Sequence, residues 1–174
     1  FCTPENAEVI GWGSSGTHFV LLPGDEAVYC VEPELAGEGT FVLPVGADFR
    51  EFLSHVLFCK CTSPLAQIFM MDEARFRKLL ADNAANTWPG CEEDFKRRDV
   101  SLAAVAETFG IQPRDPFQRV KALQAIFDPS VLVFSDEYYD TLGLENPKRE
   151  KRKQKKPLFE FPTVTFGFHK EDTP

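Results

Sequence analysis

The chain has 174 residues, 43% of them hydrophobic, and a formal net charge of -8, which suits one domain with a single substantial core. It holds no run near the roughly 18 to 20 consecutive apolar residues that span a bilayer, and no basic-then-apolar opening of a signal peptide. A soluble, cytoplasmic domain is therefore expected, with reduced thiols, because five cysteines are an odd number scattered over a chain too large to need disulfide staples. The chain opens on Phe1 and not on methionine, which reads as processing or as an excerpt of a longer protein.

Residues 7–33 read as two or three antiparallel strands. Glu8-Val9-Ile10, residues 17–22 and residues 27–31 are rich in β-branched and aromatic residues, and Gly/Ser or Pro-Gly-Asp clusters separate them. Residues 40–45 suit a short fourth strand. The period then changes. Asp48 is a good N-cap with Glu51 three residues on, and Phe49, Phe52, Leu53, Val56 and Leu57 follow at helical spacing. A second helix is expected with Ser63 as cap and Pro64 at its first position, and a third from Asp72, ended by residues 83–90. Residues 92–109 are helical again, with Leu102, Val105, Ala106 and Phe109 on one stripe and Gly110 as the stop. Phe117, Val120, Leu123 and Phe127 mark a further helix, closed by Asp128-Pro129. Residues 131–134 are read as a strand or a buried connector, and residues 136–144 as a helical turn carrying Tyr138 and Tyr139.

Strands first and helices second predict an α+β fold, with an antiparallel or mixed sheet packed by several helices. Residues 1–145 form the expected domain, 146–157 a basic linker, and 158–174 a tail whose alternating segment 158–168 suits an added edge strand. Residues 148–156 hold seven of the nineteen Lys and Arg residues and one acid. The remainder carries 12 basic against 26 acidic residues, a balance of -14. A body so acidic repels a phosphate backbone and suits a basic protein partner, whereas the basic run by itself has the composition of a nucleic-acid patch.

Gly11-Trp12-Gly13-Ser14-Ser15-Gly16 satisfies the G-x-G-x-x-G pattern after a strand, but the residues that follow are extended. A dinucleotide site needs a helix N-terminus there, so a hairpin turn is the favoured reading. Ser14, Ser15 and His18 offer a nucleophile and a base, yet no orienting acid accompanies them, and a half-buried structural His18 is expected instead. Cys59-Lys60-Cys61, with His55 a turn earlier and Cys91 beyond, matches the paired spacing of zinc sites poorly. No metal, cofactor or catalytic residue is expected. The candidate partner-binding residues are Trp12 and the loop acids Glu32, Glu34 and Glu38.

Ile10-Gly11-Trp12, then Gly16-Thr17-His18-Phe19-Val20-Leu21-Leu22-Pro23-Gly24, then Val28-Tyr29-Cys30-Val31 and the VGADFREFLSHVL stretch of residues 45–57, together resemble the SUKH superfamily. That superfamily includes yeast cell-wall-assembly regulators and bacterial immunity proteins that neutralise toxins. Its typical order is a glycine-bearing turn, two strands and a D-F-x-x-F-L helix, and the likeness covers residues 9–60, a third of the chain. The resemblance implies a mixed sheet flanked by helices and a binding role, with no catalytic residues to carry over. The L-P-x-x-Y-like helix that usually opens the family does not precede Ala7. A non-catalytic protein-binding domain, as in an immunity protein covering a basic toxin, is thus the leading expectation. The rivals are a nucleic-acid-associated regulator using residues 148–156 and a hydrolase centred on Ser14, Ser15 and His18.

Overall fold

The elements form where the residue pattern changes period, strands over the β-branched runs and helices from Asp48 onward. The computed structural model describes residues 1–37, 39–85 and 90–149. The chain divides into two units, Phe1–Leu144 and Glu145–Pro174. In the second unit the described residues begin a turn in which the Asn146 side chain accepts from the Lys148 N–H at 2.9 Å; the expected tail strand at 158–168 lies outside the described residues.

In the first unit, β1 (Glu8–Trp12), β2 (His18–Leu21), β3 (Val28–Val31) and β4 (Val42–Gly46) make one antiparallel sheet in the order β1-β2-β3-β4. The helices α1 (Phe49–Cys59), α2 (Ser63–Gln67), α3 (Glu73–Ala85), α4 (Glu92–Phe109), α5 (Phe117–Ile126) and α6 (Asp136–Leu142) follow. The protein has the α+β fold expected from that order, and its described strands pair in antiparallel fashion throughout.

Every residue of β3 and β4 is buried, because both faces of the sheet are covered. This explains why those strands read as continuous apolar runs and not as an alternation. On one face Phe19, Cys30 and Val45 pack against Phe52, Leu65, Ile68, Phe76, Phe117 and Val120. On the other, Val20, Tyr29, Val31 and Val42 meet Cys2, Phe41, Phe134 and Tyr138. Burying one such aliphatic or aromatic side chain stabilises the fold by about 1.5–3 kcal/mol before entropy is counted.

The start of α1 follows the capping rule. The Asp48 carboxylate accepts from the Glu51 N–H at 2.7 Å, while the Glu51 carboxylate reaches back one residue further than a standard capping box, to the Ala47 N–H at 2.6 Å. The helix is seated by Gly46, where a Cβ would lie 2.8 Å from the Phe52 nitrogen. Only a residue without a side chain lets β4 and α1 come this close.

Some boundaries differ from expectation. Thr62, not Ser63, precedes α2: its carbonyl accepts from the Leu65 N–H, so Ser63 and Pro64 fall inside the first turn and no side chain caps the helix. Residues 131–134 are not a strand. A 3-10 turn at Pro129–Val131 leads into a connector that buries Phe134 and leaves Val131 and Val133 exposed. Helix α4 buries none of its residues, and Phe109, expected on its inner stripe, is exposed. No described helix is long and apolar enough to cross a membrane.

Candidate functional site

The glycine-rich segment folds as a hairpin turn. The Thr17 N–H donates to the Ser14 carbonyl at 3.0 Å, and the two central residues, Ser15 and Gly16, have φ of 54° and 79°. Two successive left-handed residues are the signature of a type I′ turn, whose twist matches the strands it joins. Strand β2 follows at once, so the backbone amides of this turn do not open a helix that would hold a pyrophosphate.

The turn forms one wall of a groove of about 250 Å³. Gly13, Ser14, Ser15 and Thr17 line that wall; Glu32, Glu34 and Leu35, at the end of β3 and in the 3-10 turn Pro33–Leu35, line the next. Thr62, Ser63, Ala66, Gln67 and Met70 close it from the side of α2. Its volume falls below the roughly 300–1,000 Å³ of pockets that enclose a drug-sized molecule, so it suits a single side chain better than a cofactor.

Polar groups in the groove are held in place. Glu32 accepts from the Thr17 hydroxyl at 2.9 Å through one carboxylate oxygen and from the Cys30 thiol at 3.6 Å through the other. Burial pushes the Cys30 thiol well above its usual range, and the adjacent Glu32 carboxylate adds to the shift. Gln67 donates to both the carbonyl and the hydroxyl of Ser63, at 3.2 and 3.0 Å, which turns its amide nitrogen back onto α2. Two carboxylates, five hydroxyls and no cation line the groove. Such a lining favours an ammonium or guanidinium group over an anion.

The candidate residues are not gathered in one place. Glu32 and Glu34 line the groove, and Ser14 and Ser15 join them there. Trp12 does not. Its ring lies 4.9 Å from that of His18, and since successive strand residues point to opposite faces, His18 and the groove residue Thr17 lie on opposite sides of the sheet. Glu38 lies outside the described residues, as do positions 150–156 of the basic run.

His18 is wholly engaged elsewhere. Nδ1–H donates to the Gly16 carbonyl at 2.9 Å, and Nε2 hydrogen-bonds with the Thr3 hydroxyl at 2.9 Å. The residue is buried rather than half-buried, and no hydrogen bond joins it to Ser14 or Ser15. The spacing that suggested nucleophile and base brings the serines and the imidazole to different faces. The Cys59-Lys60-Cys61 segment ends α1, with Lys60 left-handed at φ 62°. The buried Cys59 thiol is pushed up to about 12, chiefly by loss of solvent, and His55 spends Nδ1 on the Val45 carbonyl at 2.9 Å. Among the described residues no group of three or more His, Cys, Asp or Glu side chains is placed to hold a metal ion.

Sequence reasoning found the turn and the acids but missed the α2 wall. Thr62, Ser63 and Gln67 are a polar edge on a five-residue helix, too short for periodicity to reveal which side faces the turn. Comparison with protein-family models, with curated proteins and with solved structures finds no match for this chain.

Proposed function

We propose that the chain is a non-catalytic protein-binding domain of the SUKH-like kind, and that it seats a basic side chain of its partner in the groove between the β1–β2 turn and α2. The observation that carries this reading is the lining: Glu32 and Glu34 with hydroxyls around them and no cation, on a body whose balance outside the basic run is -14. The resemblance of residues 9–60 to the SUKH superfamily supports a partner of the toxin type, bound as an immunity protein binds, in the cytoplasm where the free thiols stay reduced.

Charge complementarity of this sort mainly speeds encounter and selects the partner, while apolar contacts slow release. The test is coexpression with toxins encoded beside the gene, followed by kinetics on the one that is neutralised. Association is expected to slow as salt rises. Glu32→Gln with Glu34→Gln is expected to weaken binding about fivefold, the scale of one or two partly solvated charge pairs. A partner whose binding ignores both salt and these two substitutions would overturn the groove assignment.

A further inference from the structure

The outer edge of β4 is closed. Pro44 contributes no N–H, its carbonyl accepts from the Gln124 side chain of α5 at 3.3 Å, and the Val45 carbonyl accepts from His55 of α1 at 2.9 Å. The outer edge of β1 is not. Beyond its ladder to β2, no described group hydrogen-bonds to the backbone of Glu8–Trp12, so among the described residues the alternate N–H and C=O groups that point away from β2 have no strand beside them.

Of the usual guards of a free edge, EVIGW contains neither lysine nor proline. Two guards are present, the charge of Glu8 and a bulge between Val9 and Gly11. Val9 pairs with Val20 and Trp12 with His18, which puts both on one face, where Trp12 is 70% exposed and Val9 37%. Glu8 pairs with Leu21 and Gly11 with Phe19 on the other face. At Gly11 an added Cβ would meet nothing within 4 Å. A strand laid beside β1 would therefore meet an apolar pair on one face, and on the other Glu8, the half-buried Ile10 and the vacant position at Gly11.

We infer that the outer edge of β1 is a strand-addition site for an extended segment of a basic protein partner, one in which apolar residues alternate with lysine or arginine. The apolar side chains lie on Val9 and Trp12, and a basic one faces Glu8. A second copy of β1 is a poorer occupant, because the strand holds no cation to set against Glu8. The inference rests on the protein-binding reading and adds the form in which the partner arrives.

The experiment titrates the full chain with three capped eight-residue peptides: alternating Val and Lys, alternating Val and Glu, and the Val-Lys peptide with two residues changed to proline. Amide exchange is read residue by residue by NMR. The Val-Lys peptide is expected to bind at least about tenfold more tightly than the other two and to slow exchange of the outward β1 amides about tenfold or more. Val9→Lys, at an exposed position, is expected to keep the melting temperature and weaken this peptide about tenfold. Equal binding of the proline peptide overturns the inference, as does protection confined to other elements. So does protection of β1 that grows with protein concentration in the absence of peptide, which would mean self-pairing. Glu32→Gln with Glu34→Gln separates the two readings: if it abolishes partner binding while β1 shows no protection, the edge inference alone fails. If β1 protection persists and the groove substitutions change nothing, the groove assignment alone fails.

Discussion

Along β4 the sheet ends against helices: Pro44 and Val45 hand their carbonyls to Gln124 and His55, and Gly46 lets α1 approach to within backbone contact. Along β1 it ends in Glu8, Val9 and an exposed Trp12, with a polar, acid-lined groove beyond the turn. The difference separates two tasks. The larger buried cluster lies where α1 and α5 cover β4, and the surfaces proposed for binding lie where neither helix reaches.

This contrast can be broken by substitution, and the largest effect is expected at Phe52. It is buried on α1 and its ring lies 5.2 Å from that of Phe19. Phe52→Ala should cost about 3–5 kcal/mol in urea unfolding, whereas Trp12→Ala at the other end should cost less than about 1 kcal/mol. Comparable losses would erase the distinction. Next comes Gly46→Ala, expected to cost about 1–3 kcal/mol because the added methyl meets the backbone of α1 and not a flexible side chain. An unchanged melting temperature would mean that the approach of β4 to α1 gives way to a methyl group at no cost.

Acid should strain the β4 end selectively. Burial holds the His55 imidazole below its ordinary value of 6.5 and the Arg119 charge lowers it further, against the raising effects of the Val45 carbonyl, Glu51 and Asp115. The folded chain thus keeps this ring neutral where the unfolded chain has taken up a proton. The stability it contributes is complete above about pH 6.5 and declines as pH falls from there through the lower folded value, at no more than about 1.4 kcal/mol per pH unit. His55→Gln keeps an N–H donor for Val45 without a titrating ring. Stability measured between pH 7 and pH 5 should decline less in this variant, and equal slopes would show that other groups set the acid sensitivity.

The smallest effect sharpens the other end. Ser15 sits at φ 54°, a conformation that asparagine or glycine adopts at lower cost. Ser15→Asn should raise stability by about 0.5–1 kcal/mol while leaving the groove's width intact. A loss instead would imply that the Ser15 hydroxyl makes a contact worth more than the backbone strain.

Much of the β4 end could be read in the chain. Asp48 and Glu51 announce the start of α1 because capping is a contact among near neighbours, and Phe52, Leu57, Phe117 and Val120 declare their helical faces through spacing alone. The candidate site was legible only in pieces. Ser14, Ser15, Glu32 and Glu34 stood out as turn and loop residues, but nothing local ties residue 14 to residue 67. Trp12, close to them in sequence, lies with His18 on the opposite face because of the alternation along β2. Cap assignment failed at Ser63 for a related reason: Thr62 is already helical, at φ -87° and ψ -22°, and side-chain preference does not reveal that backbone state.

What the amino-acid order determined unaided was therefore the inventory: four extended runs, a turn within residues 11–16, helix starts and the acidic balance, all set by interactions among residues a few positions apart. The tertiary structure decided which of these meet. It closed β4 with side chains from positions 55 and 124, left the outer edge of β1 without a partner strand among the described residues, and brought Thr17, Glu32 and Gln67 around one groove. Those choices depend on how two covered sheet faces divide the available helices, a competition for burial over the whole chain that no short window of sequence contains.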